Sequence, residues 1–534
     1  MSSATRSPTT LLARGAPLLL AIALAAGLAD LASLARAGED VLPAPLKARL
    51  EQIKVESLKK HVGFLTSEEC AGRDTGQEGL TKARDYLVEH HTKYGLVGAG
   101  EGGSFLYDFE VPTRTWSDDD YVAIVRTGEP DVFLPGDDFV PVRNSASGKV
   151  DGEVVFAGYG IADAKESWDD FKGVDVKDKV VAVLLHEPRE NKDGARFDGK
   201  EWTKEGAITR KWAAAQEKGA AAVLVFTDPD NHKELGALRG ELPRYGEQRN
   251  PGGRPGPKIP VVHCSAAIGE KLFGAGKLLE WQRAIDASLK PGPRKVDGVR
   301  VRLKVEVREL QAKVQDVVAC KRGDDAKFAD EWIVVGAHYD HLGVDEYGRI
   351  YRGADDNGSG TSCLLAIGEA IGDPAVKFKR SILLIHFAGE EKGLLGAAAF
   401  CKKPLMPADK IVAMVNMDMV GRGRPHDIDA AGVKYSDEFA QLTRRALKLS
   451  RAKLAVGDGG MQYFERSDQY EFYRLGIPVL FFMEPKEHED YHRVTDTMDK
   501  IVFPKIAETA RVVTGLVHLL SEVEKRPKQE GINR

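Results

Sequence analysis

Ile333-Val-Val-Gly-Ala-His-Tyr-Asp-His-Leu-Gly343, continued by Gly353-Ala-Asp-Asp-Asn-Gly-Ser-Gly-Thr361, is the stretch whose reading decides the fold. Its apolar run, Ile333 to Ala337, has the character of a strand buried on both faces. The run stops on His338, Asp340 and His341, so metal-type side chains arrive where a strand ends. Asp355 and Asp356 follow in a glycine-rich turn. Leu364, Ile367 and Ile371 then carry the spacing of a helix. Three further segments repeat the plan. Ser381–Ala388 runs into Gly389-Glu390-Glu391, Ile411–Val415 into Asn416-Met-Asp418, and Ile477–Met483 into Glu487-His-Glu-Asp-Tyr-His492. In an open α/β sheet ligands gather beyond the carboxyl ends of the strands. Four strands ending in carboxylates or imidazoles therefore predict one site.

Working outward, 534 residues suit two domains rather than one core. With 43% hydrophobic and 29% charged residues the chain is an ordinary globular one. A net charge of −5 gives no reason to expect a nucleic-acid partner. Arg6 and Arg14 precede an apolar run from Ala16 to Ala29, and Ala35-Arg-Ala37 offers small residues for cleavage. Residues 1–37 thus read as a secretory signal peptide, which implies export to a periplasmic or extracellular location. No later segment is apolar for long enough to span a bilayer. Cys70, Cys264, Cys320, Cys363 and Cys401 are odd in number and scattered, with no C-x-x-C. They exclude a cysteine zinc site and a disulfide framework, and leave room for one unassigned disulfide.

The predicted order is residues 38–116 as the N-terminal part of the catalytic domain, 117–293 as an inserted domain, 294–523 as the catalytic core and 524–534 as a polar tail. The first part is helical over Leu58–Leu65 and Gly79–His90. Gly98-Ala-Gly-Glu-Gly-Gly103 matches G-x-G-x-x-G, but it follows a helix and opens none, so it reads as a loop. From 117 the texture is β-rich, with short runs at Tyr121–Arg126, Glu153–Ala157 and Lys179–Leu185. Helix Thr209–Gly219 leads into strand Ala220–Phe226, and a Gly/Pro-rich loop, Arg249–Pro257, precedes strand Ile259–Val262. Pro291-Gly-Pro293 reads as the exit, with Val299–Val307 already back in the catalytic domain. No metal-ligand grouping is legible in 117–293.

His338, Asp356, Glu391, Asp418 and His492 form a mixed imidazole and carboxylate set suited to zinc. Five protein ligands are too many for one catalytic zinc and suit two ions sharing a carboxylate. Three carboxylates against two Zn²⁺ leave one positive charge for a hydroxide to cancel. Ion pairs about 3.5–4 Å apart generate hydroxide at neutral pH and polarise carbonyls. Glu390, beside a ligand on a turn, is placed to serve as general base. Asp340, two residues past His338, is placed to orient that imidazole from behind.

These motifs resemble those of the co-catalytic dizinc exopeptidases of the aminopeptidase Y type. The residues that carry the resemblance are His338-Tyr-Asp-His341, Gly353–Gly360, Gly389-Glu-Glu391, Asn416-Met-Asp418 and Asp490-Tyr-His492. Leu65-Thr-Ser-Glu-Glu-Cys-Ala-Gly-Arg73 is similar to the N-terminal segment of bacterial members. Phe156–Ile161 and Val174–Val180 look like the inserted protease-associated domain. The resemblance implies a three-layer α/β/α zinc exopeptidase domain with a mixed central sheet, plus that insert. It implies two Zn²⁺ per chain, one on His338 and Asp418, the other on Glu391 and His492, with Asp356 bridging. Glu390 would be the base, Tyr491 would stabilise the tetrahedral intermediate, and the Asp356–Asn357 bond would be cis. Ser467-Asp-Gln469 departs from the Ser-Asp-His of many relatives, which puts the nearby pocket in question.

The activity so implied is an aminopeptidase acting on peptides with a free N-terminus, its oligomeric state left open. A carboxypeptidase of the same fold would need pocket cations, for which Arg422, Arg424 and Arg474 are available. A silent binding protein of the transferrin-receptor kind would lose ligands, and none is missing. His488-Glu-Asp-Tyr-His492 also reads H-E-x-x-H, a mononuclear zincin signature that requires a helix. Pro485 and the missing apolar stripe oppose that helix, so His488 and Glu489 are expected in a loop at the rim.

Overall fold

The computed structural model describes residues 41–530, apart from 137, 143–144, 191–196, 198–202, 232–243, 246–255 and 345–348. The leader assigned to residues 1–37 and most of the loop 249–257 therefore lie outside the described residues.

After a short helix, Ala44–Glu51, come helices α1 (Val55–Leu65) and α2 (Glu78–Lys93), as their spacing predicts, then strand β1 (Leu106–Thr115). It next leaves the first sheet to build a second one. This eight-stranded sheet includes β2 (Val180–Leu184), β3 (Ala222–Phe226) and β4 (Arg294–Val305). The strands 148–156, β2, β3 and 261–264 are mutually parallel, and both faces carry apolar cores of their own.

The boundary expected at 293/294 is corrected here. β4 pairs antiparallel with 121–125 and with 148–156, so it belongs to the insert, which ends near residue 307. Val299, Val301, Leu303 and Val305 alternate into the insert's core. Period-2 patterning shows that a strand has one buried face; it does not say which sheet it joins.

The chain returns with β5 (Arg308–Lys321), antiparallel to β1, and continues through β6 (Trp332–His338), β7 (Ser381–Phe387), β8 (Ile411–Met417) and β9 (Val479–Met483). The order β1-β5-β7-β6-β8-β9 has a parallel centre, β7-β6-β8-β9, inside a mixed ten-stranded sheet. Ile333, Val335 and Ala337 of β6 enter the core beneath α1, α3 (Gly358–Gly372) and α4 (Phe503–Glu522). Trp332 and Val334 enter the opposite core with Phe400 and Phe472 from two shorter helices. Helices cover both faces, which gives the three-layer α/β/α arrangement and explains the near-continuous apolar strands.

The described part of the tail, up to residue 530, is docked. Gln529 donates to the Val479 and Gly432 carbonyls and accepts from Val479 N. All five cysteines are free thiols.

Candidate active site

The four central strands end together, so His338, the Gly389–Glu391 turn, Asp418 and the loop after β9 meet at one edge of the sheet. Local chemistry fixes each arm. Asn357 caps α3 by accepting from Gly360 N at 2.9 Å, and its amide donates to Met417 O. A Cβ on Gly360 would stand 2.4 Å from Asn357 Oδ1 and from Met417 O, so only glycine lets the helix start against β8. The Asp356–Asn357 bond is cis, as the resemblance implies. Gly389 turns the chain at φ 75°, and the Leu394 and Leu395 amides close that turn onto Glu390 O and Gly389 O.

His338 Nε2 lies 3.2 Å from Asp418 Oδ1, 3.4 Å from Asp356 Oδ1 and 3.9 Å from Glu390 Oε2. His492 Nε2 lies 3.1 Å from Glu391 Oε2 and 3.2 Å from Asp356 Oδ2. All five expected ligands thus converge, and Asp356 turns one oxygen to each group. Ligands held tetrahedrally at about 2.0–2.1 Å from a zinc ion stand about 3.3–3.4 Å apart, close to these separations. Asp356 Oδ2 is buried and, among the described residues, accepts no hydrogen bond of normal geometry. The donor set therefore fits two divalent ions sharing Asp356.

The electrostatics agree. Burial opposes charge on His338, but Asp418 and Glu390 beside it hold its pKa well above the ordinary value. Burial likewise opposes charge on His492, and Asp356 and Glu391 lift it to about 10. Burial, reinforced by Glu391, Asp418 and Asp468, pushes Glu390 well up against the pull of His338. These imidazoles hold protons where the carboxylates call for cations.

Asp340 sits behind His338, with a difference from expectation. His338 Nδ1 faces the Asp340 carbonyl at 3.3 Å, while the carboxylate is 3.7 Å away. That carboxylate accepts from Glu390 N at 3.1 Å and from Thr75 Oγ1 at 2.8 Å. Asp340 thus fixes the backbone of the expected base more directly than it fixes the ring. Tyr491 stacks on His492 with centroids 3.8 Å apart, and its oxygen accepts from Arg466 Nη2 at 3.1 Å.

Residues 488–492 form no helix, which removes the zincin geometry. His488, however, is not at the rim. It is half-buried, with Nε2 3.2 Å from Asp355 Oδ2. Asp355 Oδ1 accepts from Gly421 N, and the Asp496 carboxylate accepts from the Asp355 and Asp356 amides. Asp490 is held by Arg422 at 2.7 Å and Lys500 at 2.6 Å, which anchors the loop carrying Tyr491 and His492. His341 Nδ1 lies 2.8 Å from Glu391 Oε1. Asp355, Asp496 and His341 form a supporting layer to which sequence reasoning gave no role. Their position beside the motifs was the one available signal. Arg73 is fully buried and donates to the Tyr339, Arg352 and Gly353 carbonyls, which ties the N-terminal segment to the site loops.

A cleft of ≈ 370 Å³, open to solvent, lies over this floor. Its lining includes the carboxylates Asp356, Glu390, Asp418 and Glu487 and the apolar or aromatic side chains Met419, Tyr463, Phe481, Met483 and Tyr491. Gln469 does not reach it. That side chain is fully buried, accepting from Asn416 and donating to Phe464 O.

Residues 316–517 match the family model described as peptidase family M28, and residues 150–272 match the PA domain. Residues 316–517 thus form an M28 peptidase domain, and the insert carries a PA domain. The chain is 29% identical over 237 residues to a probable leucine aminopeptidase of Arthroderma otae, covering 42% of this chain and 62% of that one. It is 27% identical to aminopeptidase YwaD of Bacillus subtilis, over 40% of this chain and 46% of that one. The shared stretch is under two thirds of each curated relative's length. The solved aminopeptidase of Aneurinibacillus sp. strain AM-1 superposes with a TM-score of 0.47 at 21% identity, over 92% of this chain and 99% of that one.

Proposed function

We propose that this M28 peptidase is a dizinc aminopeptidase that removes N-terminal residues from peptides outside the cytoplasm. The observation that carries this reading is the charge of the cleft. Besides the ligands Asp356 and Asp418, the carboxylates of Glu390 and Glu487 line it, and Arg466, the one cation among the described lining residues, is engaged by Glu487 at 2.6 Å and by Tyr491. Such a cleft offers a carboxylate to a substrate's α-ammonium and, among the described residues, no unengaged cation to a terminal carboxylate. The cations a carboxypeptidase would need are elsewhere. Arg422 is bound to Asp490, Arg424 is exposed beside Asp427, and Arg474 pairs with Glu471. The sulfur and aromatic wall of Met419, Phe481, Met483 and Tyr463 suits an apolar terminal side chain, in keeping with the leucine aminopeptidase names among the relatives.

His338, Asp418, Asp356, Glu391 and His492 would hold the two ions, which supply hydroxide at neutral pH and polarise the scissile carbonyl. Glu390 faces the same floor and would take the attacking water's proton, then pass it to the departing amine. Arg466 donates to the Tyr491 oxygen, which leaves the hydroxyl proton to be donated to the developing oxyanion. No helix among the described residues is long and apolar enough to cross a membrane. The case for export rests on the leader-like residues 1–37, and a mature N-terminus near residue 38 would support it.

The test is a leucyl peptide beside its N-acetylated form. Cleavage of the free peptide alone is expected. Equal rates would remove the aminopeptidase reading.

A further inference from the structure

The inserted domain, in which the sequence showed no metal-ligand grouping, brings three ligating side chains together. β2 and β3 are parallel neighbours with Leu184 opposite Phe226, so His186 and Asp228, each two residues past its strand, sit side by side. They are in hydrogen-bond contact through His186 Nδ1 and Asp228 Oδ1, and Glu190 Oε2 lies 3.4 Å from the same nitrogen. The three donor atoms fall within 4.8 Å of one another, and all three residues are buried, at 0%, 0% and 5% exposure.

We infer that His186, Glu190 and Asp228 bind one transition-metal ion of the zinc class, separate from the catalytic centre. The donor set, one imidazole and two carboxylates, is the same as that of each half of the catalytic cluster, His338–Asp356–Asp418 and His492–Asp356–Glu391. The placement is also the same, beyond the carboxyl ends of adjacent parallel strands. The 3.4 Å separation of His186 and Glu190 matches the roughly 3.3–3.4 Å edge of a tetrahedral zinc site, and the His186–Asp228 pair would part as the ion enters.

The buried lysine described nearby is engaged elsewhere. Lys211 is fully buried nearby, but its ammonium donates to the His186 and Tyr159 carbonyls. Asn231 donates to Asp228 Oδ2 at 2.9 Å, which holds that carboxylate with Oδ1 towards His186. Glu187 is turned away, accepting from Thr203 N and Oγ1. A neutral imidazole with two carboxylates balances one divalent cation. An imidazole ligand favours zinc or a neighbouring transition metal over calcium or magnesium. Water would complete the coordination.

The experiment is metal content per chain for the full-length protein, stripped, reloaded with Zn²⁺ and dialysed. It compares the unaltered protein with Asp228→Asn and Glu190→Gln, and each sample is also assayed for peptidase activity. The unaltered protein is expected to hold one equivalent more than either variant, both variants should lose the same single equivalent, and peptidase activity should be retained. Equal zinc in the unaltered protein and in Glu190→Gln would overturn the proposal and leave a buried ion pair, even if Asp228→Asn failed to fold. Loss of activity in step with the lost equivalent would also overturn it, because the ion would then belong to the catalytic centre. None of these outcomes depends on whether the peptidase acts at the amino end.

Discussion

The peptidase sheet and the PA-domain sheet each gather an imidazole and carboxylates beyond the ends of parallel strands. They differ in what surrounds those groups. In the peptidase sheet four strand ends contribute, a second layer of Asp340, Asp355, Asp496 and His341 supports them, and a cleft opens above. In the insert two strand ends and one turn contribute, and the cluster is closed over. Metal-type residues at strand ends are thus a common outcome of parallel sheets. The supporting layer and the cleft are what distinguish a reaction centre from a site that can only hold an ion.

The largest effects should separate ligands from neighbours. His492→Ala should abolish activity and lower zinc occupancy, because it removes a ligand 3.1 Å from Glu391 and 3.2 Å from Asp356. Retained activity and zinc would dissolve the His492 half. Next, Glu390→Gln should lower turnover by roughly 10²–10⁴ with zinc near normal, the range for a lost general base. Glu391→Gln should instead lose zinc, and the reverse pattern would exchange the two roles. A smaller effect, roughly 10–100-fold in zinc affinity or rate, is expected from His488→Ala, which touches Asp355 from below. A zinc-free His488→Ala protein would return His488 to the ligand set.

Much of this was legible because the signals are local. Apolar runs that end in His338, Glu391 or Asp418 carry strand, terminus and ligand within a few residues. The PA-domain cluster was not legible, since His186 and Asp228 lie 42 residues apart and meet through strand register alone. β4 was assigned to the wrong domain for a related reason. Its alternation is plain, but pairing with 148–156 is a non-local fact. His488 was expected at the rim and lies half-buried on Asp355, because side-chain direction in loops follows from packing.

A pH test bears on the scaffold beside the site. His61 Nδ1 meets Tyr86 OH at 2.8 Å, and the buried His91 and His386 rings share a 2.9 Å contact. Burial first, and neighbouring imidazoles second, lower His61 and His91 to about 3 and His386 well below its ordinary value. Below pH 6.5 the unfolded chain binds protons that the folded chain refuses, so stability present above 6.5 falls as pH drops towards 3. His61 and His91 each contribute about 2 kcal/mol of loss between pH 6.5 and 5, and His386 acts in the same direction. Urea midpoints should fall across that window, and a flat profile would contradict the burial of this cluster.

The central claim is that two ions sharing Asp356 make one hydrolytic centre. It is tested most directly by titrating metal-stripped Asp228→Asn protein, in which the PA-domain cluster is disabled, with Zn²⁺ while following bound metal and peptidase activity together. Activity should become complete as the second equivalent binds. Full activity at one equivalent, with no second ion taken up, would contradict the account.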